Sequence, residues 1–278
     1  MSNHNRKSNG SRNKLIAGIS AVVIAALAIF LGFQFMSPTA SSSNGVKSVL
    51  TTKKANTYKV SDEEKAYLKN KFDGLEATNP DTIAYVYAPG TKLDEPVVQT
   101  TDNSTYLDKT FDGGNVPYLG TVFMDTDNKK DFSDRLTWLF GHARGSQVED
   151  HRMFNDVNYY SDQSFFDKHK YVVVETPQRK YYYEAFAMVI VPEDTAFYRT
   201  SFKDDKDFKE QLDIIYDTAD VKNKDLKVSA SDKYLVLSTC REEDPTIRAN
   251  LYLRQIPDSE MSDFVAKHGK DLEYTPTR

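Results

Sequence analysis

One cysteine, Cys240, occurs in 278 residues. An intramolecular disulfide is therefore excluded, and a folded domain must rest on its apolar core. A stretch of about 200 residues is enough to form one. There is no basic surplus. The chain carries −5 overall and +4 in its first 36 residues, which leaves −9 for the rest. That balance argues against nucleic acid as a partner. No His-Glu-x-x-His, no second cysteine and no glycine-rich phosphate loop is present. Neither a metal nor another cofactor is expected. No internal repeat is visible. One segment lacks charge entirely: the 22 residues from Leu15 to Met36.

That run is long enough to cross a hydrocarbon core at about 1.5 Å per residue. Arg6, Lys7, Arg12 and Lys14 precede it, with no acidic residue among them. The charge bias keeps the N-terminus in the cytoplasm. A cleaved signal peptide is the rival reading, but its apolar region is normally about 7–15 residues. The expected organisation is a cytoplasmic tail at 1–14, a transmembrane anchor at 15–36, a linker at 37–58 and an extracellular domain at 59–278. The linker is rich in Ser, Thr, Asn and Lys, with few large apolar groups. The protein is thus expected at the cell membrane, crossing it once.

Within the outer part, Ser61-Asp62-Glu63-Glu64 reads as a helix start with a cap residue and acids in the first turn. The pattern predicts a helix to about Phe72, stopping at Gly74. Short strands are expected at Ile83–Tyr87, Val97–Thr100, Thr121–Met124 and Leu136–Phe140. Helical pieces fit Arg152–Val157 and Asp162–His169. Tyr171–Glu175 and Tyr181–Val191 flank a turn and read as a hairpin. A helix near Asp207–Tyr216 presents Phe208, Leu212 and Ile215 on one face. Ser259–Asp271 reads as a closing helix. Many short strands with few helices between them predict a mostly β fold: a mainly antiparallel barrel carrying helical insertions.

Cys240 ends the apolar run Tyr234–Cys240, a buried strand. Arg248 begins the next strand, after a polar loop containing Pro245. An antiparallel hairpin is the simplest connection. Residues flanking its loop then face each other with Cα atoms roughly 4.5–5.5 Å apart. A cation beside a thiol favours the reactive thiolate. Of five histidines, His4 precedes the apolar run and His268 falls in the closing helix. His151 and His169 lie among charged residues and are expected to be solvated. His142 follows the strand Leu136–Phe140 after Gly141, and so stands at a strand end as Cys240 does. Among rival arginines, Arg241 points into the loop. Arg254 shares a face with Arg248 but lies about 20 Å along the strand. Glu242 and Asp244 read as loop solubilisers.

Leu237-Ser238-Thr239-Cys240 resembles the Leu-x-Thr-Cys motif of sortases, the membrane-anchored cysteine transpeptidases of Gram-positive surfaces. Phe140-Gly141-His142 resembles their Gly-His segment, and Arg248 occupies the place of their essential arginine. The 98 residues from His142 to Cys240 and the helix near residues 61–72 resemble class B. The resemblance implies a closed antiparallel or mixed β-barrel, with an N-terminal helix and a helical insertion before the cysteine strand. It implies that Cys240, His142 and Arg248 are catalytic, and that Ser238 and Thr239 lie beside the substrate. It further implies that the partners are surface proteins or pilins bearing a sorting signal, and an amine acceptor, either cell-wall peptide or a pilin lysine. A cysteine endopeptidase with the same pair, or a surface-binding module with an inert thiol, remain as alternatives. Topology has its own test. Protease added outside intact cells should digest the Cys240 domain and spare the N-terminal tail, and the reverse pattern on an immunoblot would overturn the orientation.

Overall fold

The computed structural model describes residues 58–143, 152–195, 197–241 and 243–277. The tail, the anchor and nearly all of the linker lie outside the described residues, as do His4, His151 and Glu242.

Helix α1 spans Asp62–Thr78, with the Ser61 hydroxyl accepting from the Glu64 N–H. Leu68 and Phe72 are its buried residues. Lys71 ties it to the barrel through an ion pair of 2.8 Å with the buried Glu175. The helix does not stop at Gly74. A Cβ at Gly74 would meet nothing within 4 Å, so the position is open, and a glycine there costs only about 1 kcal/mol. The break comes at Asn79, in extended backbone with φ −144 and ψ 110. Pro80 follows and disfavours helical geometry in the residue before it.

Strands β1 (Thr82–Tyr87) and β2 (Asp94–Val98) form a hairpin. β2 begins before Val97, because the Ala88 N–H donates to the Leu93 carbonyl and seats Asp94 opposite Tyr87. β3 (Val122–Met124), β4 (Leu136–Phe140) and a 3-10 turn at Asn155–Ser161 follow. Then come α2 (Gln163–Lys168), β5 (Tyr171–Glu175) and the long β6 (Lys180–Pro192). α3 (Asp205–Thr218) and the short β7 (Val221–Lys222) form the insertion. β8 (Tyr234–Cys240), β9 (Ile247–Gln255) and α4 (Asp258–His268) complete the chain.

The sheet runs β5-β1-β2-β3-β4-β8-β9-β6, and β5 also pairs with β6. Eight strands therefore close on themselves, with β7 attached beside β6. The barrel is mixed: β2–β3 and β4–β8 are parallel, and the other pairings are antiparallel. Closure leaves no open edge within the ring. Strand alternation separates two cores. Leu235, Leu237, Ala249, Leu251 and Leu253 fill the interior. Trp138, Tyr234, Val236 and Tyr252 face outward and are covered by Phe208, Leu212 and Ile215 of α3. The insertion thus roofs the outer face of the strands that lead to Cys240.

Candidate active site

The parallel β4–β8 pairing sets the first geometry. Phe140 aligns with Ser238, and the next N–H, from Gly141, donates to the Ser238 carbonyl at 3.2 Å. Gly141 has no room for a side chain: a Cβ would lie 2.9 Å from the Phe154 ring. The His142 carbonyl accepts from the Phe154 N–H at 3.0 Å. Its ring Nε2 lies 2.7 Å from the Leu107 carbonyl. A carbonyl can only accept, so Nε2 carries the hydrogen, and Nδ1 is the lone-pair nitrogen of the neutral ring.

The β8–β9 register places Cys240 directly opposite Arg248, and Ser238 opposite Asn250. These four residues share the outer face by alternation. Thr239 and its partner Ala249 turn the other way, toward the barrel interior. The Thr239 hydroxyl is buried without a hydrogen-bond partner among the described residues. Thr239 borders the cavity all the same. The Cys240 carbonyl accepts from the Asn158 side-chain amide at 3.1 Å. Across the loop, the Arg241 N–H donates to the Ile247 carbonyl at 2.9 Å.

Cys240, His142 and Arg248 line one cavity of about 630 Å³. Phe140, Ser238 and Asn250 contribute to its floor, and Leu107 and Phe123 border it on the His142 side. Glu193, Phe197 and Tyr198, from the segment after β6, form the other wall. Tyr198 donates to the carboxylate of Asp125, which fixes that wall to the turn after β3. A thiol, an imidazole and a guanidinium converging on an apolar groove can perform acyl transfer.

The other candidates lie elsewhere. Arg254 is held by Asp232 at 2.7 Å and by Glu260 at 2.9 Å, away from the cavity. Arg241 pairs with Glu243. His268 packs on Tyr171 and Phe264. His169 is not solvated. It is buried, because the end of α2 turns it onto the β1–β2 turn, where Gly90 lacks the Cβ that would meet the ring at 3.0 Å.

One participant escaped the sequence reading. The Arg248 guanidinium donates to the Pro245 carbonyl at 2.6 Å and to the Glu193 carboxylate. Glu193 is itself anchored by donating its N–H to the Thr246 carbonyl at 2.9 Å. The only signal was the length of the strand ending at Pro192, whose pairing with β9 brings the following residue to Arg248. The Cys240 thiol is pushed above its usual range. Burial is the main cause; Arg248 draws it back down, and Glu193 raises it again. Glu193→Gln removes one raising charge and releases Arg248. The pH midpoint for alkylation of Cys240 by iodoacetamide should therefore move down. An unchanged or higher midpoint would show that the Glu193 charge does not raise the thiol.

No family model matches the chain. The sortase B of Staphylococcus aureus is 31% identical over 176 residues, covering 63% of this chain and 70% of that protein. The solved S. aureus sortase B–substrate complex superposes with a TM-score of 0.61 at 29% identity, over 68% of this chain and 85% of that one. A sortase B complexed with triglycine gives 0.61 at 30% identity, over 68% and 86%. That identity, matched by the eight-stranded barrel and its helices, makes this chain a class B member of the sortase family and a cysteine transpeptidase.

Proposed function

We propose that the protein cleaves the C-terminal sorting signal of surface proteins and transfers the acyl fragment to an amine, with Cys240 as nucleophile, His142 as acid and base, and Arg248 as oxyanion or substrate clamp. The observation that carries this reading is the Cys240–Arg248 register pair, which opens into the cavity that His142 shares.

The Cys240 thiolate attacks the carbonyl carbon of the acylated residue, a threonine by family resemblance. The C–N bond breaks, and the imidazolium of His142 gives its proton to the leaving amine. A thioester to Cys240 remains. The acceptor amine then attacks the thioester, His142 takes up its proton, and the thiolate leaves. Reference pKa values near 8.5 for a thiol and 6.5 for imidazole already make thiolate with imidazolium a minority state at neutral pH. Burial of Cys240 lowers that population further. The sortase B bound to triglycine supports a short-peptide amine as acceptor, which puts a cell-wall peptide ahead of a pilin lysine.

The location proposed is the outer face of the membrane, with the N-terminus in the cytoplasm. Among the described residues no helix is long and apolar enough to cross a membrane. Anchoring therefore rests on the uncharged run 15–36.

Acylation of Cys240 by a sorting peptide, read by mass, tests the assignment. Cys240→Ala should abolish cleavage and transfer while the fold persists, and His142→Ala should be nearly as damaging. Normal turnover by Cys240→Ala would sink the reading. Arg248→Lys keeps the charge but loses the planar fork that reaches two partners at once. Losing a charge-assisted bond typically costs about 1.5–3 kcal/mol, or roughly ten- to a hundredfold in rate. Arg254→Lys should change acylation far less. Wild-type rates in Arg248→Lys would refute the directed hydrogen-bonding role.

A further inference from the structure

The peptide unit between Cys240 and Arg241 is held at both of its polar ends, and one end is held by a side chain. Its N–H, on Arg241, donates to the Ile247 carbonyl at 2.9 Å. In a trans peptide the C=O points the opposite way, so the Cys240 carbonyl turns from β9 toward the β4 side. There the ladder should supply a partner. Bonds between parallel strands are evenly spaced, and the Gly141 N–H donates to the Ser238 carbonyl. The next step along would bring the Ala143 N–H to the Cys240 carbonyl. β4 ends too early for that. After Phe140 the chain turns aside through His142, and Ala143 bridges to Met153 instead. The Asn158 side chain fills the vacated position, its amide donating to the Cys240 carbonyl at 3.1 Å.

Asn158 is itself fixed. It lies in the 3-10 turn Asn155–Ser161, whose Val157 and Tyr160 are buried in the interior core. Its main-chain carbonyl accepts from the Ser161 hydroxyl at 2.9 Å. The Arg241 guanidinium lies 3.4 Å from that carbonyl and 3.5 Å from the side-chain oxygen. A cation beside the oxygen leaves the NH2 group facing the Cys240 carbonyl, so each contact joins a donor to an acceptor. Both polar atoms of a buried side chain are thus directed at Cys240 and Arg241 rather than at its own turn. The consequence is geometric. Cys240 is the last residue of β8 and lies beyond the last β4 register pair, Phe140 with Ser238. The thiol leaves the Cα that this peptide unit orients, and a misplacement of about 1 Å can cost about a hundredfold in rate.

We propose that Asn158 is a positioning residue for the nucleophile: its side-chain amide stands in for the strand residue missing from β4, locks the Cys240–Arg241 peptide from the side opposite β9, and so sets the direction of the thiol. The inference rests on Cys240 being the nucleophile, as read above, and adds a residue that does not border the cavity.

Two substitutions in the full-length protein test it. Asn158→Asp keeps the size and the oxygen that faces Arg241 but loses the amide donor, and Asn158→Leu removes both. Thermal melting checks the fold of each. Acylation of Cys240 by a threonine-containing sorting peptide is followed by mass across a range of peptide concentrations. Alkylation by iodoacetamide, a small reagent that needs no fixed approach, reports the thiol without the groove. The maximal acylation rate should fall about ten- to a hundredfold in both variants. The half-saturating peptide concentration and the alkylation rate should stay within about twofold, the split expected when orientation rather than binding is lost. Because the chain has one cysteine, carbon-13 labelling of the cysteine carbonyl gives a single resonance, which should move upfield in Asn158→Leu as the hydrogen bond is lost. Native acylation rates in a folded Asn158→Leu would overturn the proposal. So would a fall in rate that comes with equal losses in peptide affinity and alkylation, or failure of both variants to fold, since either would make Asn158 a support of the fold rather than of the thiol. If no peptide acylates Cys240 in the native protein, the assignment of the nucleophile itself fails, a result distinct from a slowed variant.

Discussion

The antiparallel register of β8 and β9 is the constraint on which the site depends. It sets the thiol opposite the guanidinium. A slip of one residue would turn every side chain of β8 to its other face. Cys240 would then point into the barrel and Thr239 into the groove. The register is protected on both sides. Leu235 and Leu237 are committed to the interior core, and Tyr234 and Val236 to the outer one. The neighbouring strands extend the same logic. β4, β8, β9 and β6 are consecutive in the sheet. They lead in turn to His142, Cys240, Arg248 and Glu193, so four ends of adjacent strands supply the cluster.

The electrostatics of that cluster are balanced rather than maximised. Arg248 favours the thiolate, but burial outweighs it, and Glu193 opposes it while holding the guanidinium in place. The resting thiol is therefore kept mostly protonated. Oxidation and alkylation proceed through the thiolate. For a lone cysteine proposed to work outside the membrane, a protonated thiol limits both reactions. The same arrangement explains why Arg248 contributes more than charge. Its fork is spread between a backbone carbonyl and a carboxylate, which fixes the plane of the guanidinium.

Much of this was legible in the sequence because local and global signals agree there. β4 and β8 have the expected bounds, since each is a short apolar run cut by glycine or by a polar loop. The apolar face of α3 was readable from Phe208, Leu212 and Ile215. Reading failed where tertiary contacts decide. Gly74 resembled a helix stop, but Pro80 ends the helix. His169 stood among charges, yet a glycine elsewhere in the chain made room to bury it. Glu193 lies 55 residues from the arginine it holds, and a surface acid at a strand end carries no local mark. Asn250 was visible as a polar residue in an apolar strand, but the burial of its side-chain oxygen without a partner among the described residues is a property of the packed barrel.

The barrel's size explains why the chemistry sits outside it. Eight strands enclose just enough space for side chains to fill, and here the interior is occupied by the aliphatic residues of the principal core. A peptide has no room there. The groove must therefore be built on the outer surface, where a bare sheet would be nearly flat. Its walls come from the segments between strands: the stretch around Leu107 on one side, and Glu193, Phe197 and Tyr198 on the other. Tyr198, bound to Asp125, ties one wall to the turn after β3. Such walls are free to vary without disturbing the register that aligns Cys240 with Arg248. Reactivity then belongs to the strands and selectivity mainly to the insertions.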